Sequence, residues 1–171
     1  MTATVIAVPS IAAGAAATPD VVVKAAFLLN FAKFSEWPAL RPGAPILVCI
    51  VGDDGVAASL VETVGQQYIS GHRFDISRPQ DSATWPTCQL LFIAEGEARR
   101  SAGGLGGVKT LPVLTVSDAK GFADADGIIE FYIEGGRMRF AINVEAVERS
   151  GLRLSSRLLG LAKIIRSHRV Q

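Results

Sequence analysis

The sequence predicts an α/β fold: a single domain with a mixed β-sheet flanked by helices, a C-terminal β-hairpin and a terminal helix. Short apolar runs of strand length, ILVCIV at 46–51 and CQLLFIA at 88–94, alternate with segments of helical spacing, as in sheets that carry helices on their faces. Residues 128–142 instead alternate with period 2 around Gly135-Gly136, a hairpin signal. Nothing after residue 18 reads as linker, repeat or low-complexity sequence, and the length of 171 residues suits one core.

Taken in order, residues 20–37 predict a helix, with Phe27, Phe31 and Phe34 on one face, Asp20 as its cap and Pro38 as its stop. The strand at 46–51 runs into Gly52-Asp53-Asp54-Gly55 and then a helix over about 56–66. A weaker strand is expected at 72–77 and a buried one at 88–94. A helix over about 97–104 leads through a glycine-rich stretch to a strand at 112–116. Beyond the turn-rich residues 121–127 come the hairpin, a short helix near 144–149, and a last helix with Leu154, Leu158, Leu161 and Ile165 as its apolar stripe.

Composition narrows the function. With 17 Lys+Arg against 16 Asp+Glu the net charge is +1, and the basic face that phosphate neutralisation requires is missing, which argues against nucleic acid as a partner. A hydrophobic content of 49% and a mean hydropathy of +0.34 exclude a disordered chain. Every charged residue lies after position 17. Residues 1–17 therefore read as the apolar region of a signal peptide, with Ala15 and Ala17 in an A-x-A arrangement, although no Lys or Arg precedes the run. The other reading is an Ala-rich tail ahead of the domain at 18–171.

Export changes how the two cysteines are read. Cys49 and Cys88 lie in or beside the two apolar runs, so they could sit on neighbouring strands within bonding distance. Closing the loop between them would stabilise the fold by about 4 kcal/mol. The alternative is two free thiols packed as small hydrophobes. A metal site lacks its residues: there are two scattered histidines, His72 and His168, and no C-x-x-C.

Catalytic signals are weak. The stretch 103–110 superficially resembles a phosphate-binding loop, but Val108 separates Gly107 from Lys109 and the stretch leads into a strand. Asp53 and Asp54 could pair as carboxylates beyond a strand, yet a helix N-cap uses Asp here for its own reasons. Ser155 and Ser156 read as caps, with no nucleophile elbow around them. The sequence thus predicts neither an enzyme nor a cofactor.

Six ordered blocks carry a resemblance: KAAFLLNFAKFSEWP (24–38), ILVCIVGDD (46–54), CQLLFIAE (88–95), LPVLTVSDAKGFA (111–123), GIIEFYIEGGRMRFAIN (127–143) and GLRLSSRLLGLAKIIR (151–166). Together they resemble the YfiR family. The resemblance implies a non-catalytic periplasmic repressor of an inner-membrane diguanylate cyclase that acts on the cyclase's periplasmic region, lowering cyclic di-GMP and biofilm formation. It further implies a homodimer, and sequestration of the repressor by a peptidoglycan-associated outer-membrane lipoprotein. Cys49 and Cys88 fall where the family's fold-maintaining disulfide would be, while a second cysteine pair found near the hairpin in some relatives is missing. The family's F-E-I-N segment reads Phe140-Ala141-Ile142-Asn143 here. Phe140, Ala141, Val147 and Leu152 form the expected partner surface, with a core role as the alternative for all four.

A rival expectation is a periplasmic small-ligand receptor whose loops after Val51, Ala94 and Val116 form a pocket, with Asp53, Asp54, Ser117 and Asp118 as polar contacts.

Overall fold

A computed structural model describes residues 18–65 and 67–166. The expected signal segment 1–17 and His168 lie outside the described residues.

Helix α1 (Pro19–Lys33) opens with proline at its first position, where a missing N–H costs nothing, and carries Asp20 in its first turn. Thr18, rather than Asp20, occupies the N-cap position. The helix also ends earlier than Pro38 suggests. Ser35 Oγ donates to the Phe31 carbonyl, and β1 (Ser35–Glu36) pairs with β9 (Arg153–Leu154), so a non-local ladder takes the residues that continued the helical pattern.

Strand β2 (Ile46–Val51) is central. Gly52, at φ 82°, turns the chain into α2 (Asp54–Val64), and an added Cβ there would run into the Glu97 side chain. Asp53 caps α2 by accepting from the Val56 amide at 2.9 Å. Strands β3 (Tyr68–Ile69) and β4 (His72–Ser77) follow, then a 3-10 segment (Ser82–Thr87) and β5 (Leu90–Ile93). The helix expected over 97–104 is two short pieces, α3 (Glu95–Arg100) and α4 (Ala102–Leu105). Gly104 lets α4 close on the 3-10 segment, since a Cβ would stand 2.9 Å from Ser82 Cβ and 3.0 Å from the Trp85 ring. The glycine-rich stretch thus serves packing and the approach to β6 (Leu114–Ser117).

The hairpin has β7 (Ile129–Glu134) and β8 (Arg137–Asn143), joined by Gly135 and Gly136, both at positive φ as a type I′ turn requires. Helix α5 (Val144–Ser150) is capped by Asn143, which accepts from the Ala146 amide at 3.0 Å. The terminal helix α6 (Ser156–Leu161) is short, and β10 (Lys163–Ile165) follows it. The predicted apolar stripe is therefore divided. Leu154 lies in β9, Leu158 is buried, Leu161 is exposed, and Ile165 lies in an edge strand.

The main sheet has the order β10-β8-β7-β6-β5-β2-β4-β3. Strands β4, β2, β5, β6 and β7 run parallel, β8 is antiparallel to β7, and β10 is parallel to β8. One face packs against α1, α2, α5 and α6, with Val48, Ile50, Phe92, Ile129 and Ile142 in the larger core. Aromatic rings tie α1 to the hairpin: the Phe31 centroid is 4.9 Å from that of Phe140 and 5.6 Å from that of Phe131. The other face packs Leu91 and Ile93 against the 3-10 segment, α4 and Phe122 in a smaller core.

Cys49 and Cys88 are disulfide-bonded, with their Cα atoms 5.9 Å apart. Cys88 does not lie in a strand, as the 88–94 run suggests. It directly follows the 3-10 segment, ahead of β5, so the bond fastens that segment to the face of β2. Both sulfurs belong to the smaller core.

Candidate functional site

The loop between β6 and β7 organises the open end of the hairpin side of the sheet. Three side chains from the following elements hold it. Glu130, buried in β7, accepts from the Gly121 amide at 3.1 Å and the Ala123 amide at 3.0 Å. Asn143 donates to the Ala123 carbonyl at 2.7 Å, and Arg149 of α5 donates to Asp126 at 2.9 Å. Asp126, at φ 75°, also receives the Lys109 ammonium at 3.0 Å. The Lys109 hydrogen bond is the main reason that the Asp126 carboxyl is held below its ordinary range; burial opposes it, and the Arg149 charge adds to it.

Beside this loop lies a cavity of about 570 Å³ between the start of α1, the loop and the hairpin. Lys24 and Asp118 in its lining form an ion pair at 2.5 Å, and Asp118 also accepts from the Glu95 amide at 2.7 Å. Its hairpin wall includes Tyr132, whose ring centroid lies 5.8 Å from Lys163 Nζ, and Ala141. In register, Ala141 stands between Glu130 on one side and Lys163 on the other. Ala141 is itself buried and lines the cavity.

The four polar residues expected to share one pocket are dispersed. Asp118 lines the 570 Å³ cavity, whereas Asp54 is exposed at a separate cleft and pairs with Arg78 at 3.5 Å. Asp53 is occupied as a helix cap. Ser117 is fully buried, donating to the Ile93 carbonyl at 2.6 Å and accepting from the Ala119 amide at 3.0 Å. Lys24 pairs with Asp118 and Glu130 lines the same cavity; sequence spacing did not reveal them because they come from α1 and β7.

The residues expected at the partner surface are all buried. Phe140 packs on Phe27 and Phe31, Val147 and Leu152 lie in the larger core, and Ala141 lines the cavity wall. Exposed apolar side chains flank them instead: Ile133 near the hairpin turn (63% exposed), and Leu161 (70%) and Ile164 (44%) at the C-terminal edge of the sheet. Among the described residues, no group of three or more His, Cys, Asp or Glu could hold a metal ion, and no helix is long and apolar enough to cross a membrane. His72 donates through Nδ1 to the Ala44 carbonyl at 2.6 Å, and Ser155 caps α6.

These features define a disulfide-stapled α/β domain whose hairpin edge carries both a cavity and exposed apolar side chains. The chain belongs to the YfiR/HmsC-like family, whose sequence profile matches residues 22–163. Its fold is similar to the crystal structure of a conserved domain protein from Vibrio cholerae, at 12% identity and a TM-score of 0.50. The match covers 84% of this chain and 59% of the Vibrio cholerae chain, so this chain spans less than two thirds of that protein's length.

Proposed function

We propose that this protein is a non-catalytic periplasmic regulator that represses an inner-membrane diguanylate cyclase by binding the cyclase's periplasmic domain. The family match over residues 22–163 carries this reading. The Cys49–Cys88 disulfide supports an oxidising compartment. Binding represses by its differential affinity for the inactive arrangement, and control at roughly 99:1 needs about 5.5 kcal/mol of that difference. Such a difference calls for an interface with an apolar centre. In our reading the partner docks on the hairpin and C-terminal edge, touching Ile133, Leu161 and Ile164, while Phe140, Ala141, Val147 and Leu152 hold this region in shape from beneath. The repressor acts as a homodimer, and a peptidoglycan-associated lipoprotein relieves it by sequestration.

The test is a pull-down from solubilised membranes with oxidised protein, followed by mass spectrometry. Recovery of a diguanylate cyclase at near-equal stoichiometry, lost in Ile133→Asp/Leu161→Asp, supports the proposal. A folded, oxidised sample that retains no cyclase refutes it. Substitution of an exposed side chain is the informative choice, because Val147→Asp would place a charge in the core and unfold the protein.

The 570 Å³ cavity favours a second reading, a small-ligand receptor, which predicts a saturable thermal shift with a metabolite.

A further inference from the structure

A second, smaller cleft of about 200 Å³ lies on the opposite side of the β6–β7 loop, between that loop and the α3–α4 segment. Its apolar lining includes Ile93, Leu105 and Phe122, which belong to the smaller core. Its ionisable lining has one sign only: Arg99, Lys109 and Lys120, with no carboxylate among the lining residues. Two of these cations are already ion-paired, Arg99 with Glu95 and Lys109 with Asp126, carboxylates that are not themselves lining residues. Lys120 has no ion pair or hydrogen bond among the described residues. The larger cavity shares Lys120 with this cleft but differs in also carrying Asp20, Asp118, Asp124 and Glu130.

Size and charge together select a ligand class. An apolar cavity of about 150 Å³ accommodates benzene, so this cleft has room for one ring or a branched aliphatic body. Buried apolar area favours such a body, while the cationic rim favours a carboxylate at its end through charge-assisted hydrogen bonds. An ammonium group would meet like charges at the same rim, so an amine is disfavoured.

We propose that this cleft binds a small amphipathic carboxylate, its apolar body resting among Ile93, Leu105 and Phe122 and its anionic end meeting Arg99, Lys109 and Lys120. The site is independent of the repressor reading: the pull-down can fail while the cleft binds its anion, and the reverse.

The experiment is a titration of the oxidised, ¹⁵N-labelled protein with benzoate, followed through amide shifts, with benzyl alcohol and benzylamine as neutral and cationic counterparts. The expected result is saturable shifts confined to the amides around residues 93, 105 and 119–122, with benzoate binding tighter than either counterpart. Arg99→Gln/Lys120→Gln should weaken benzoate by about tenfold or more, since hydrogen bonds to charged groups are worth that much, and leave benzyl alcohol unchanged. Both substituted side chains are exposed, so the variant should keep its fold; Lys120→Glu provides a second charge test. The proposal is overturned if benzoate gives no saturable shift at these amides, if benzylamine binds as tightly, or if both charge variants retain wild-type affinity.

Discussion

Reduction of the Cys49–Cys88 bond should remove a large part of this domain's stability without changing its native contacts. The bond joins residues 39 apart in sequence, and the closed loop contains α2, β3, β4 and the 3-10 segment. In the chain-entropy description a loop of this length restrains the unfolded chain by about 4 kcal/mol. The folded state loses less, because both cysteines are buried in the smaller core and their thiols would still pack as small hydrophobes. At about 2–4 °C per kcal/mol for a domain of this size, the melting temperature should fall by roughly 8–16 °C. Urea unfolding of oxidised and dithiothreitol-treated protein, followed by circular dichroism, measures this. The midpoint should drop and the slope should rise, since an unrestrained denatured chain exposes more surface. A stability loss below about 1 kcal/mol with an unchanged slope would refute the argument that the bond acts through the unfolded chain. Cys49→Ala/Cys88→Ala should lose at least as much, because it also leaves space in the smaller core.

Three further outcomes follow from the packing and the loop. Phe31→Ala should cost about 3–5 kcal/mol in urea unfolding, because it removes the fully buried one of the two α1 rings that pack on Phe131 and Phe140. Glu130→Gln replaces one of two accepting carboxylate oxygens with a donor facing an amide, so it should cost about 1–3 kcal/mol and broaden the amide signals of residues 119–125. Asp126 has a depressed carboxyl pKa in the folded state, so its contribution is complete above about pH 4, the unfolded value, and disappears as pH falls through the lower folded value. With the Asp126 side chain 39% exposed, solvent screening keeps that contribution below about 1 kcal/mol. Asp126→Asn should therefore flatten the acid side of the stability profile and leave Arg149→Gln with little additional effect.

Much of the fold was legible from sequence because its signals are local. The β2 run, the period-2 hairpin and its Gly-Gly turn, and the caps at Asp53 and Ser155 each rest on a few neighbouring residues. A buried parallel strand is apolar on both faces, and a type I′ turn demands positive φ, so composition alone reveals them. The pairing of Cys49 with Cys88 was one of several open readings, since two apolar runs say nothing about where the chain bends between them.

The tertiary structure decided what depends on distant partners. Two-residue strands have no period, so β1 and β9 exist only because Ser35 and Leu154 meet. A segment as short as Lys163–Ile165 suits a helix end as well as a strand, and pairing with β8 makes it an edge strand. Alternation placed Phe140 on one face of the hairpin, but only the docking of α1 buried that face. The loop at 118–127 shows the same division: its turn-forming composition was visible in the chain, whereas its shape comes from Glu130, Asn143 and Arg149. Local sequence sets which conformations are accessible to a segment, and contacts between segments far apart in the chain select the one that buries apolar surface and satisfies its polar groups.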